Sequence, residues 1–121
     1  MAIAPEQVQR IGITRHFTTP DVHPYESVEW ERREARIPDH KTGGDAFYQP
    51  DVEFPTTWSQ NATNIVAQKY FRGPLGAPER EWSLRQIIDR VADTIADWGI
   101  RDGYFVDDDE AEAFRDELKY I

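Results

Sequence analysis

Few side chains in this sequence stand at the spacings that chemistry requires. The three histidines, His16, His23 and His40, are far apart and lie in stretches without periodicity. No His pair stands at i, i+4, and no carboxylate and His share a helical face, so the pattern of a metal site is missing. Ser27, Ser59 and Ser83 lack the glycine-flanked elbow of an activated serine. Gly73-Pro74-Leu75-Gly76 is no phosphate loop, having neither G-x-G-x-x-G nor a following Gly-Lys-Ser/Thr. The run Asp107-Asp108-Asp109-Glu110 lacks the glycine and distal Glu of a calcium hand. It suits a helix start, where the dipole favours carboxylates by ~0.3–1 kcal/mol each. Lys69-Tyr70-Phe71-Arg72 admits two readings. The basic residues could complement the dipole at a helix C-terminus, or Lys69 or Arg72 could reach a nucleotide phosphate or a neighbouring acidic patch. From residue type and spacing, the expected catalytic, cofactor-binding and metal-ligating sets are all empty.

Composition narrows the classes further. The 121 residues carry 23 acidic and 14 basic side chains, a formal net charge of −9. Such a balance argues against a nonspecific nucleic-acid surface, which needs clustered Lys and Arg to replace counterions. Recognition of a free nucleotide needs only a local site and stays open. The absence of cysteine removes disulfides, thiolate–zinc sites, iron–sulfur clusters and a catalytic thiol from this chain. No run approaches the ~20 apolar residues of a membrane helix, and Met1-Ala2-Ile3-Ala4-Pro5-Glu6 is not a secretory signal. The expectation is a cytoplasmic protein without membrane or nucleic-acid partners.

The elements that must position these residues read as follows. Residues 1–20 predict an extended or partly disordered arm, with a turn at Thr18-Thr19-Pro20-Asp21, and His23-Pro24-Tyr25-Glu26 continues extended. Val28 to Ile37 reads as a strand by alternation, although Glu31 to Arg36 would equally suit a helix. Ala46 to Phe54 makes the second strand of a hairpin, with Pro50 at an edge or bulge, and residues 21–56 form the hairpin region. Residues 57–121 read as three helices. The first opens at a Thr57/Gln60 capping box, turns Trp58, Ala62, Ile65, Val66 and Tyr70 inward, and closes at Gly73-Pro74. The second carries Leu84, Ile87, Ile88, Val91, Ile95 and Trp98 on one face. Ser83 and Gln86 would cap it, a Trp82–Ile87 staple would fix its entry, and Gly99 would stop it. The third begins at the acidic run and turns Ala111, Phe114, Leu118 and Ile121 to one side. Its apolar period is still running at Ile121, so the chain reads as cut, with unsatisfied apolar surface at Phe114, Leu118 and Ile121. The fold class is mainly α with a small β-hairpin, α+β.

The order of motifs from residue 13 to 121 resembles the N-terminal segment of adenosylcobalamin (vitamin B12)-dependent, class II ribonucleotide reductases. Lys69-Tyr70-Phe71-Arg72, a Gly-containing joint, Glu81, Ser83 and the helix bearing Arg90-Val91-Ala92 follow the large reductase chain. Arg15-His16-Phe17-Thr18, Trp30-Glu31-Arg32-Arg33, Trp58-Ser59-Gln60-Asn61-Ala62-Thr63-Asn64, Asp97-Trp98-Gly99, Asp102-Gly103-Tyr104-Phe105 and Ala113-Phe114-Arg115-Asp116-Glu117-Leu118 point to the cobalamin-dependent kind. The resemblance implies an enzyme reducing ribonucleoside diphosphates or triphosphates to deoxyribonucleotides by radical chemistry. Its catalytic barrel would supply the cysteines, the adenosylcobalamin contacts and the nucleotide sites, and the full enzyme could be a homodimer. No barrel segment occurs in this sequence, so no catalytic residue carries over, and this chain alone is expected to be inactive and free of cofactor. Lys69 and Arg72 remain the candidate contacts to nucleotide or partner. The alternative is a stand-alone, non-catalytic interaction domain or the subunit of a split reductase.

Overall fold

The computed structural model describes residues 10–121. Two strands, β1 (Trp30–Pro38) and β2 (Asp45–Pro55), and three helices, α1 (Gln60–Lys69), α2 (Leu84–Arg101) and α3 (Asp108–Tyr120), follow one another along the chain. The chain divides into two compact units. Residues 28–87 form the hairpin unit. Residues 88–121, with the arm that precedes the hairpin, form the arm unit. The part of the arm expected from residues 1–9 lies outside the described residues.

In the hairpin unit β1 and β2 pair antiparallel, with Trp30 opposite Pro55 and Ile37 opposite Phe47. The register slips between Arg33 and Ala35, across from Gln49 and Val52. The slip sits at Pro50, which has no N–H for the ladder, and at Asp51, whose φ of 58° is left-handed. A lone hairpin exposes two edges, and both are covered. Gln60 Nε2 donates to Glu34 O, and Asn64 Oδ1 accepts from Arg36 N, along the free edge of β1. Glu53 N donates to Trp82 O along the edge of β2. The core comprises Ala35, Phe47, Val52, Phe54, Ala67, Phe71 and Leu84.

The α1 face differs from expectation. Ser59, not Thr57, is the N-cap, its hydroxyl accepting the Ala62 N–H. Thr63 and Ala67 are the buried positions, whereas Trp58, Ile65 and Tyr70 are exposed. The Thr63 hydroxyl is wanted inside because it bonds Ser59 O and accepts from Arg33. The α2 cap is close to expectation: Gln86 Oε1 accepts from Ser83 N, and the Ser83 hydroxyl accepts the Arg85 N–H rather than that of Gln86 while donating to Glu53 Oε1. Trp82 lies under the Arg32 guanidinium at 4.1 Å rather than serving as a staple.

In the arm unit α2 buries Ala92, Ala96 and Gly99, a line about a quarter turn from the large apolar stripe at 100° per residue. Gly99 is therefore no helix stop. It is a close approach, since a Cβ there would stand 2.6 Å from the Phe105 ring. The left-handed turn after α2 belongs to Gly103, at φ 76°. Asp107 caps α3 by accepting the Glu110 N–H at 2.8 Å, so the acidic run starts a helix as expected. Phe114 packs on Phe105 with centroids 5.2 Å apart, and Phe114 and Leu118 are half-buried. Of the three residues expected to stay open on α3, only Ile121, at 84% exposure, does so. His23-Pro24-Tyr25-Glu26 is not extended: Pro24–Ser27 is one 3-10 turn, with Tyr25 N donating to His23 Nδ1. The turn at Thr19–Val22 is present, with Asp21 in left-handed conformation.

Candidate functional site

The basic-aromatic end of α1 is built around a residue that spacing did not single out. Arg80 reaches back across the Gly/Pro joint and donates to Ala67 O, Phe71 O and Gly73 O at 2.7, 2.9 and 2.9 Å, and to Gln49 Oε1 at 3.0 Å. Ala67 O is one of the carbonyls that a helix C-terminus leaves without a partner, and Phe71 O and Gly73 O belong to the joint after α1. Burial pulls Arg80 below the ordinary arginine value, with Glu81 opposing, and the guanidinium stays charged. Gly73 makes the approach possible. At φ 89°, a Cβ there would stand 2.9 Å from the Arg80 Cα.

Arg80 thus does what one reading assigned to Lys69 and Arg72. Both of those side chains are exposed, and neither forms an ion pair among the described residues. Arg72 nevertheless has a fixed backbone: its N–H donates to Glu81 Oε1, and its carbonyl accepts from Glu81 N, both at 2.8 Å. Tyr70 stands between them, 59% exposed. Two cations and an aromatic ring on a clamped turn can take a phosphate or a carboxylate, with stacking alongside.

A second polar centre lies in the arm unit. Glu117 accepts from His16 N, from Phe17 N at 2.9 Å and from the Thr18 hydroxyl at 2.6 Å. Arg15 Nη1 pairs with Asp116 at 2.9 Å. Burial alone would raise Glu117, but the bonds from Thr18, Phe17 and His16 outweigh it and hold the carboxyl at about 2. The site is a strap for the arm, with its acceptors already filled. Neither Arg80 nor Glu117 has a local signature, because their partners are backbone groups far off in sequence or across a joint. Glu117 does fall inside one of the reductase-like motifs.

Two open clefts lie among the described residues. One, in the arm unit, is lined by His23, Asp93, Asp97, Asp108, Glu112, Arg115, Asp116 and Lys119. The other, in the hairpin unit, runs along Arg33, Glu34, Arg36, Pro38, Gln60 and Asn64. Among the described residues no group of three or more His, Asp and Glu side chains is placed to hold a metal ion. No helix is long and apolar enough to cross a membrane.

Comparison with known proteins gives this geometry its context. The family described as class II vitamin B12-dependent ribonucleotide reductase matches residues 31–121. A vitamin B12-dependent ribonucleotide reductase of Streptomyces avermitilis is 50% identical over 110 residues, covering 91% of this chain and 11% of the relative. Those of Rhodopirellula baltica and Bradyrhizobium diazoefficiens are 46% and 33% identical, covering 81% and 90% of this chain and 9% and 11% of theirs. The chain belongs to the class II vitamin B12-dependent ribonucleotide reductase family, and it spans about a tenth of the length of the curated relatives it matches.

Proposed function

We propose that this chain is the N-terminal structural portion of a cytoplasmic enzyme that reduces ribonucleotides to deoxyribonucleotides for DNA synthesis. The observation that carries the reading is the 50% identity over 110 residues with a vitamin B12-dependent ribonucleotide reductase. Its partner is the catalytic barrel, which holds adenosylcobalamin and nucleotide, and the whole enzyme is a homodimer. When bound there, the cofactor supplies the radical through its cobalt–carbon bond. The described residues of this chain do not fit that group. A corrin is a broad, largely apolar macrocycle, and the two clefts are open and lined by charged side chains. With no cysteine to carry a thiyl radical or to reduce a substrate, the chain alone is inactive. Its contribution is a folded platform.

The test is a chimera in which this chain replaces the matching segment of the Streptomyces avermitilis relative. Adenosylcobalamin-dependent formation of deoxyribonucleotide by the chimera is the expected result, with none from this chain alone. A chimera that folds and does not turn over, or an isolated chain that binds adenosylcobalamin, would overturn the reading.

Lys69 and Arg72 support a finer reading of the same enzyme, in which the clamped turn contacts a nucleotide phosphate or an acidic partner surface. What favours it is that Arg80 already caps α1, which leaves the two exposed cations without a structural task.

A further inference from the structure

Helix α2 carries two seams, and only one is used within the arm unit. Ala92, Ala96 and Gly99 are buried. About a quarter turn away, Val91 and Trp98 are 47% and 54% exposed, with the half-buried Ile95 between them. Large apolar side chains left outside at helical spacing mark a contact surface, and tryptophan is among the residues that dominate such contacts.

Resting on the reductase reading above, we propose that Val91, Ile95 and Trp98 form the face of α2 on which the catalytic remainder of a reductase chain docks, whether in the same polypeptide or as a separate one. Two observations favour this occupant over a second copy. Residues 10–27 and 88–121 hold 13 acidic against 6 basic side chains, so two copies brought together on this face repel. The stripe is also short, whereas a stable dimer needs roughly 800 Å² from each partner. A short stripe suffices when the partner is present at the high effective concentration of a tethered chain, and the relatives carry about nine times as much chain as the part matched here.

Hydroxyl-radical footprinting of the isolated chain and of the chimera tests the proposal. Trp98 should oxidise readily in the isolated chain and several-fold more slowly in the chimera, while the exposed Trp58 of the hairpin unit keeps one rate in both. Trp98→Glu should shift the melting temperature of the isolated chain only slightly and lower that of the chimera much more, and Val91→Glu should do the same. An active chimera with Trp98 still fully reactive would overturn the α2 face and leave the reductase reading standing. A chimera that does not assemble would overturn the reading beneath it. Concentration-dependent protection of Trp98 in the isolated chain would assign the face to a second copy instead.

Discussion

The two units use charge in opposite ways. In the hairpin unit arginine is the organising residue. Arg32 lies over Trp82, Arg85 over Trp30 at 4.3 Å and Arg36 over Tyr48 at 4.9 Å. Arg33, its side chain only 10% exposed, donates to Trp58 O at 2.7 Å, Thr63 Oγ1 at 2.8 Å, Thr56 O and Pro55 O. In the arm unit carboxylates lead. Asp89, Asp93 and Asp97, one turn apart on α2, face Lys119 and Arg115 of α3 at 3.0 to 3.4 Å, and Tyr25 donates to Asp89 at 2.6 Å. A planar fork can serve several carbonyls and an aromatic face together, so a small sheet with irregular connections can be tied by few residues. A ladder of ion pairs spreads over many weak contacts, each worth ~0–1 kcal/mol where exposed. Losing one arginine should therefore hurt the first unit far more than losing one rung hurts the second.

Arg80→Ala is the strongest way to break that contrast. It strands three carbonyls and the Gln49 amide oxygen at the end of α1. Unpaired buried acceptors cost ~1–3 kcal/mol each before relaxation, and solvent entry recovers part of this. The expected loss is about 3–5 kcal/mol by urea denaturation. Arg80→Lys should recover little, since an ammonium has no fork. By comparison, Arg115→Ala should cost about 1 kcal/mol. Equal losses for the two alanine variants would end the distinction between hub and ladder.

Glu117 gives the arm unit its own dependence on pH. Its folded value of about 2 lies below the ordinary 4.5, so its contribution is complete above pH 4.5 and is lost as pH falls towards 2. Glu117→Gln keeps an acceptor but no charge, and should be less stable than the parent at pH 7. The stability curves of the two proteins should converge as pH falls from 4.5 to 2, and amide exchange at His16 and Phe17 should quicken in the variant at neutral pH. Parallel curves across that window would show that the strap draws nothing from ionised Glu117.

Local signals in the sequence marked where elements start, and they were less able to say which face packs. Ser83 with Gln86, Asp107 and the bulge at Pro50 were legible because each is set by neighbours in sequence, whereas α1 ends at Lys69, four residues before the Gly73-Pro74 closure expected for it. The reductase family was legible too, from motifs spread over most of the chain. The faces of α1 and α2 were not. A hydrophobic period finds the largest apolar stripe, whereas close helix packing here uses Ala92, Ala96 and Gly99, and the Phe105 ring fills the space beside Gly99. The joints held by Arg33, Arg80 and Glu117 were hidden for another reason: side chain to backbone bonds carry no period.

Trp98→Ala turns that lesson into a measurement. Were Trp98 in the core, as the apolar stripe alone implies, its truncation would cost ~3–5 kcal/mol. At 54% exposure the expected loss in the isolated chain is below about 1 kcal/mol, read as a small shift in melting temperature. A loss of several kcal/mol would restore the simple amphipathic reading of α2.

Arg72→Ala should disturb the fold least of all. Its backbone is held by Glu81 whatever the side chain, and α1 is capped by Arg80, so stability should stay within about 0.5 kcal/mol of the parent. The informative readout is kinetic and belongs to the chimera. If the clamped turn contacts nucleotide, the apparent KM for substrate or the concentration of effector needed should rise while melting temperature and kcat hold. Lys69→Ala should push the same way by less, because it lies on the last turn of α1 and lacks the Glu81 clamp. Loss of interaction with a charged group is worth ~1.5–3 kcal/mol, a rise on the order of tenfold or more. An Arg72→Ala chimera with unchanged nucleotide response would remove this turn from any nucleotide site and leave partner contact as its remaining role.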